Sequence, residues 1–227
     1  EFHKVFHTLH NLCTTDLSSY YLDIIKDRIY VNGATSLERR SAQTALYHIL
    51  LLIMTDMTPI LTFTAEELFQ HLPEAMRPNV STVLAMRIPE IEGALLSEEE
   101  EVIWSLVFAV RGEVTKAIEP LRQSKALGHS LDASVTLHAT GETLASLQSV
   151  ASELRDIFIV SQTKVLGDAA PAEAITCDIE ELSIVIAKAK GEKCSRCWIY
   201  DENLGTDPAH PQACPRCTRV LNAYFPA

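Results

Sequence analysis

The sequence lacks a long apolar run, is poor in aromatic residues and has few basic side chains. Its longest apolar run covers only residues 49–54, far short of the roughly 20 residues that cross a bilayer. No signal-peptide pattern opens the chain, so we expect a soluble, cytoplasmic protein. The 227 residues are 47% apolar, which is enough to bury a core in one large domain or in two or three small ones.

The scarcity of basic residues bears on possible partners. There are 19 Lys and Arg against 30 Asp and Glu, and the net charge is -11. This balance argues against nucleic-acid binding, because proteins that neutralise phosphates usually present a basic surface. The acidity is concentrated in the middle of the chain, however, whereas residues 191–227 have four basic and four acidic side chains. A nucleic-acid partner for this end of the chain therefore stays open.

The N-terminal part has helical periodicity. Apolar residues recur every three or four positions from Phe2 to Cys13, which predicts a first helix that buries Cys13. Asp16–Ser19 is predicted to form a turn that caps a second helix through YYLDIIKDRIY. Ser36 is predicted to cap a long third helix through LERRSAQTALYHILLLIMTDM. The sequence opens inside the first pattern without an initiator Met, so we interpret it as a piece of a longer protein.

A fourth helix and a connector complete this part. Thr64 and Glu67 are predicted to form a capping box, and Glu66 is interpreted as a first-turn partner of the helix dipole. Pro73 is expected to end the helix. Four helices with short connections predict an antiparallel bundle. Residues 74–96, which contain Pro and Gly, are predicted to be an irregular connector rather than packed structure.

The middle of the chain changes its period. Ser97 and Glu100 predict another capping box, at the start of a helix that Pro120 kinks or interrupts and Gly128 ends. Beyond it, SLDASVTLHA alternates like a strand, TGETLASLQSVASELRD is helical and amphipathic, and IFIVSQTKVL and LSIVIAKAK are strand-like. We predict a mainly α fold with a helical bundle and connector at 1–96, a helix with a small α/β subdomain at 97–190, and a metal-binding module at 191–227.

Four of the six cysteines lie in this last module. They form two C-x2-C pairs, separated by sixteen residues, at Cys194, Cys197, Cys214 and Cys217. Two such pairs that face each other predict a tetrahedral zinc site. Two dithiols, two disulfides, or His210 in place of one sulfur are less favoured alternatives. Four thiolates close the coordination shell, so the predicted zinc is structural and supplies the folding free energy of a module with little core.

The predicted zinc module also carries cationic and aromatic side chains. Arg196, Trp198 and Arg216 are candidates for RNA contact, because aromatic rings stack on unpaired bases and cations bind phosphates. Each has a structural alternative. The two arginines could offset the charge of the thiolates, and Trp198 could pack over the cluster.

Several stretches resemble class I aminoacyl-tRNA synthetases for aliphatic amino acids. The helical part is similar to their anticodon-binding domain through DLSSYYLDIIKDRIY, RRSAQTALYHIL and PILTFTAEELF. The tail, KCSRCWIY with ACPRC, and the stretch VRGEVTKAIEPLRQSKALGHSLDASVTL resemble bacterial isoleucyl-tRNA synthetases. The resemblance implies a ligase that, when whole, joins isoleucine to tRNA with ATP and Mg²⁺. It covers essentially the whole chain.

Neither ATP signature of that family, HIGH or KMSKS, occurs in the sequence. The resemblance therefore implies a monomeric, inactive tRNA-binding part whose partners are tRNA and the missing catalytic and editing domains. Lys26 and Arg28 are candidates for RNA contact. Both could simply balance a helix dipole, but the resemblance places Lys26 beside the anticodon. Arg40 and Gln43 flank the apolar stripe of the third helix and are further candidates for RNA contact. The alternatives are a zinc adaptor that binds protein and the equivalent region of a valyl, leucyl or methionyl enzyme.

Overall fold

The computed structural model describes residues 1–90 and 96–225. The chain folds into two compact units, Glu1–Leu95 and Leu96–Ala227. The further boundary expected at residue 190 stays a prediction. Within the described ranges no helix is long and apolar enough to cross a membrane. A mainly helical fold with a small sheet and a cysteine cluster is confirmed.

The first unit begins with one nearly continuous helical segment. Helix α1 (Phe2–Asn11) continues into a π-helical stretch (Leu12–Tyr21), and α2 (Leu22–Ile24) and α3 (Lys26–Tyr30) follow. The turn predicted at Asp16–Ser19 is wrong, because these residues lie inside the π-helical stretch. Cys13 is exposed rather than buried. Wider helical turns change which residues share a face, so an α-helical wheel fails there.

Two longer helices supply the core of this unit. Helix α4 (Leu37–Met57) starts where expected, since the Ser36 side chain accepts a hydrogen bond from the Arg39 amide. Helix α5 (Thr62–His71) has Leu61 at its N-cap position, with no side-chain cap, so the predicted Thr64–Glu67 capping box is wrong. The two helices contact each other, and their facing apolar side chains form a buried cluster with residues after α5: Leu51, Met54, Ala65, Phe69, Leu72 and Val83.

The connector is more ordered than its composition suggests. It contains 3₁₀ turns at Glu74–Met76 and Val83–Ala85, and Val83 is only 2% exposed. The Glu66 carboxylate accepts hydrogen bonds from Thr82 Oγ1 at 2.6 Å and from the Val83 amide at 2.9 Å. These bonds lower the pKa of Glu66, and the bond from Thr82 has the largest effect. Glu66 thus fastens the connector instead of acting in the first turn of α5. Residues 91–95 of the predicted connector lie outside the described residues.

Helix α6 (Glu98–Gln123) opens the second unit. The predicted capping box is confirmed, since the Ser97 side chain and the Glu100 side chain each bond the other residue's backbone amide. The helix continues through Pro120 for three more residues. Its end differs from the expectation, because Lys125 rather than Gly128 takes the left-handed conformation, with φ 60°.

A four-stranded sheet packs with the helices of this unit. Strands β1 (Ala133–Ala139), β2 (Gln162–Leu166), β3 (Ile175–Thr176) and β4 (Leu182–Lys188) lie in the order β2-β1-β4-β3. β1 is parallel to β2 and antiparallel to β4. The segment between β1 and β2 forms two helices, α7 (Gly141–Ser149) and α8 (Ala151–Phe158), rather than one. Ile157 and Phe158 of the predicted strand IFIVSQTKVL belong to α8.

The end of the chain forms a small ribbon and a helix. Strands β5 (Glu192–Lys193) and β6 (Tyr200–Asp201) pair antiparallel, and helix α9 spans Pro215–Tyr224. The Ser161 hydroxyl lies between this ribbon and the sheet. It accepts a hydrogen bond from the Tyr200 amide at 2.8 Å and donates one to the Leu131 carbonyl. The ribbon is therefore fastened to the neighbouring α/β structure.

Candidate metal centre and nucleic-acid surface

The four cysteines of the two C-x2-C pairs meet at one point. Cys194 and Cys197 flank a tight turn between β5 and β6, Cys214 precedes α9 and Cys217 lies in its first turn. All four are buried, and their sulfurs lie within 4.8 Å of one another. None of them is in a disulfide. This is the convergence that the spacing predicts.

The arrangement fits a tetrahedral zinc ion. A tetrahedron with Zn–S bonds of about 2.3 Å has S···S edges of about 3.8 Å. The Sγ atoms of Cys197 and Cys214, one from each pair, are 3.8 Å apart. Four buried sulfurs are the donor set of a structural site, which leaves no position for water or substrate. When bound, zinc would hold the two halves of this knuckle together.

Nearby hydrogen-bond donors would stabilise the negative charge of the cysteine thiolates. The Cys214 amide donates to Cys194 Sγ at 3.3 Å, and Arg196 Nη1 donates to Cys217 Sγ at 3.6 Å. The Cys197 and Cys214 thiols also perturb one another. Their hydrogen bond raises the pKa of Cys197 and lowers the pKa of Cys214. Zinc binds cysteine as thiolate, so these donors would offset part of the negative charge of the occupied site.

Glycines allow the loop of the knuckle to close. Gly191 has φ 89°, and a Cβ there would lie 2.3 Å from the Asp201 carbonyl carbon. Gly205 has φ 75° and lies against the backbone of Pro211. Ser195 completes the closure, since its amide and hydroxyl both donate to the Gln212 carbonyl at 3.0 Å. The segment between the cysteine pairs thus folds back on the first pair.

Trp198 lies on the outside of the knuckle. It follows Cys197 directly and is 60% exposed, so it does not simply pack over the cluster. Its backbone has φ 65°, a left-handed conformation that is uncommon for residues other than glycine. Lys193 Nζ lies 5.9 Å from the Trp198 ring centroid and 6.0 Å from that of Tyr200. The β5–β6 ribbon therefore presents two aromatic rings with a cation between them.

The two knuckle arginines are placed differently from Trp198. Arg196 is half-buried and donates to a cysteine sulfur, which favours the charge-offsetting alternative. Arg216 lies between two cysteines at the start of α9 and is also half-buried. Lys193, by contrast, is exposed and adjoins the exposed ring. The sequence alone showed only that a lysine precedes Cys194. Its contact with Trp198 depends on the pairing of β5 with β6, which the sequence did not predict.

The remaining candidates lie in the first unit. Lys26 is exposed and forms an ion pair with Asp23 at 2.6 Å. That hydrogen bond, and then the charge of Asp23, raise the pKa of Lys26. Arg28 is half-buried, whereas Arg40 and Gln43 are exposed one turn apart on α4. The first unit and the knuckle therefore each present candidate contacts, and their RNA-binding roles stay predictions.

The exposure of Tyr30 adds a residue that the pattern alone did not single out. A helical wheel places it on the outward face with Lys26, but such faces also carry ordinary solvated side chains. In the structure the side chain is 76% exposed. The available signal in the sequence was an aromatic residue one helical turn after a lysine on the same predicted face.

Comparison with known families identifies the helical part. Residues 1–137 match the family model described as the anticodon-binding domain of tRNA ligase. The chain belongs to the anticodon-binding domain family of tRNA ligases. The match to this domain family covers the first unit and continues through α6 into β1. Residues 191–220 match a second model, described as a zinc finger found in FPG and IleRS. That match contains all four cysteines, so it and the sulfur geometry together support a structural zinc ion.

Relatives of this anticodon-binding-domain chain include isoleucine–tRNA ligases. That of Nitratidesulfovibrio vulgaris (strain DSM 19637 / Miyazaki F) is 54% identical over 97% of the chain. Those of Lawsonia intracellularis and Bacillus mycoides are 43% and 39% identical over 97% and 99% of it. In each comparison the chain spans 24% of the relative's length. The matched region is therefore about a quarter of those ligases.

Proposed function

We propose that this chain is the anticodon-recognition part of an isoleucine–tRNA ligase. The anticodon-binding family, the zinc finger model and relatives of 39–54% identity along nearly the whole chain support this function. The observation that carries it at the level of residues is Trp198. An aromatic ring is exposed beside a lysine on a backbone that the zinc centre and the β5–β6 ribbon hold in place.

The conformation of Trp198 gives this observation its weight. A residue in a sparsely populated backbone region persists only where the surrounding structure enforces it, and such residues cluster at binding sites. Glycine would adopt φ 65° without a steric penalty. A tryptophan at that position therefore costs stability, and its ring is mostly in solvent. Stacking on an unpaired RNA base would offset this cost.

Charge would act locally in the proposed complex. The net charge of -11 opposes long-range attraction of RNA. Contacts must therefore come from single cations such as Lys26, Arg40 and Lys193 close to the phosphates or bases. Arg28, Gln43, Arg196 and Arg216 complete the proposed RNA-facing set, with the two half-buried knuckle arginines also supporting the thiolates. Lys26 would exchange its ion pair with Asp23 for a contact to RNA.

The proposed role is to bind and orient tRNA. Contacts far from the reacting atoms can raise turnover, because their binding energy helps to position the acceptor end in the catalytic site. ATP, Mg²⁺ and the ligase and editing activities would belong to other parts of the whole enzyme, and this chain would itself be inactive. The proposal includes a monomeric enzyme, the cytoplasm as its location, and contacts with the catalytic and editing domains.

Binding of purified tRNAs to the zinc-loaded chain over a range of salt concentrations tests the function. We expect preference for isoleucine tRNA and an affinity that falls as salt rises, because each phosphate contact releases counterions. The chelator-treated chain is the control and should bind less tightly. An adaptor that binds protein through its helices would show neither preference nor a steep salt dependence, and that result would refute the proposal.

A further inference from the structure

Tyr30 is held outside the first unit by buried neighbours. Its side chain is 76% exposed, whereas Ile25 and Val31 are 3% and 7% exposed. The Val31 amide donates to the Asp27 carbonyl at 2.9 Å, which continues the helical pattern past Tyr30. Arg39 Nη1 of α4 donates to the Asn32 carbonyl at 3.2 Å and stabilises the turn that follows Tyr30. The ring is therefore presented to solvent from an ordered backbone.

Lys26 lies one helical turn before this ring. Residues four apart in a helix are surface neighbours, with Cβ atoms about 5–6 Å apart. Both side chains are exposed. The same combination occurs at the knuckle, where Lys193 Nζ lies 5.9 Å from the centre of the Trp198 ring. Both candidate RNA surfaces thus combine one exposed aromatic ring with one adjacent lysine.

Phe63 shows that exposure alone does not make an aromatic ring a candidate for RNA contact. It is 92% exposed, more than Tyr30, on α5 of the same unit. Its helical neighbours three and four residues on are Glu66 and Glu67. Carboxylates beside the ring would repel RNA phosphates, whereas Lys26 would attract them. Tyr30 also has an acidic neighbour, Asp27, three residues before it, but it has Lys26 four residues before it. Phe63 has no basic residue at the matching positions, so of these two rings Tyr30 has the surroundings that better suit a nucleic-acid base.

We propose that Tyr30 stacks on an unpaired base of the RNA loop that Lys26 contacts. This inference rests on the proposed function and assigns a stacking residue to its helical part. An aromatic ring accepts any base through its π-face, while the lysine contacts the phosphate or base edge. Tyr30 would then contribute to the binding affinity and to the position of the RNA loop. Lys26 would contribute the electrostatic attraction to the RNA.

The test measures binding of a fluorescent anticodon stem-loop to the zinc-loaded 227-residue chain. Tyr30→Ala and Tyr30→Leu should each weaken binding by about 5- to 150-fold, the usual value of one stacked base. Tyr30→Phe keeps the ring and should bind as tightly as the original chain. Phe63→Ala is the matched control for loss of an exposed ring and should also leave binding unchanged. Circular dichroism checks that each variant is folded.

A stem-loop with 2-aminopurine at its unpaired positions identifies the stacked base. Stacking quenches this fluorophore, so at one position the original chain and Tyr30→Phe should quench it, and Tyr30→Leu should not. Unchanged affinity and quenching in both Tyr30→Ala and Tyr30→Leu would overturn the inference while the proposed function stands. An equal loss in Tyr30→Phe or in Phe63→Ala would also overturn it. If the original chain fails to bind any stem-loop, the proposed function fails and this inference fails with it.

Discussion

Replacement of Trp198 by glycine and by alanine separates its two roles. Both changes remove the ring and its contact with Lys193. Only alanine keeps a Cβ on a backbone with φ 65°. The two variants therefore lack the ring equally but differ in backbone strain. Comparison of each variant with the original chain reports on RNA contact, and comparison of the two variants with each other reports on the stability of the knuckle.

The expected difference in stability follows from the backbone. The left-handed conformation costs about 1–2 kcal/mol for a residue with a Cβ. Glycine loses about 0.5–1 kcal/mol more conformational entropy on folding. The glycine variant should therefore exceed the alanine variant by about 0.5–1 kcal/mol in free energy of unfolding of the knuckle. Because zinc binding is coupled to folding, this corresponds to about two- to fivefold tighter zinc binding.

The expected effect on RNA is the same for both variants. Loss of one stacked base should weaken stem-loop binding by about 5- to 150-fold. Zinc affinity is measured by competition with a chelator, and RNA affinity by fluorescence anisotropy on the zinc-loaded protein. Trp198→Phe serves as the control that keeps both the ring and the strain. RNA affinity that follows zinc affinity, so that glycine restores binding, would show that Trp198 acts only through the fold of the knuckle.

Three other changes test separate parts of the account. Cys214→Ser, or chelation, should unfold residues 191–221 and weaken tRNA binding while the far-ultraviolet signal of the helices persists; loss of the helices as well would refute a separately metal-dependent knuckle. Lys26→Ala should weaken binding of the matching tRNA more than of a mismatched one, and an equal loss would show a phosphate contact only. Ser97→Ala should cost about 0.5–2 kcal/mol of stability in thermal unfolding. Hydrogen bonds from the Ser97 amide, first, and from its hydroxyl lower the pKa of Glu100. The stability that the Glu100 carboxylate adds to the capping box should therefore be present near neutral pH and lost as pH falls through that pKa.

Local sequence signals predicted the features that depend on short-range chemistry. The Ser36 and Ser97 caps and the alternating strand at 133–139 need only a few adjacent residues, and the structure has all three. The metal cluster was also predictable, since two C-x2-C turns have few other uses in a reduced protein.

Features set by contacts distant in sequence were not predictable in the same way. Glu66 resembles an ordinary first-turn carboxylate until Thr82 and Val83 are placed beside it. The π-helical stretch shifts the face on which Cys13 lies, and no residue pattern there indicated the wider turns. The exposure of Trp198 depends on the pairing of β5 with β6 and on the left-handed backbone after Cys197.

The most direct measurement compares two stem-loops that differ only in the anticodon. Each is titrated with the zinc-loaded chain at the same salt concentration, so that shape and phosphate charge are equal and only the bases differ. Anticodon recognition predicts clearly tighter binding of the isoleucine anticodon, and a smaller difference once Trp198 is replaced by alanine. Equal affinity for the two stem-loops would contradict the proposal that this chain reads the anticodon.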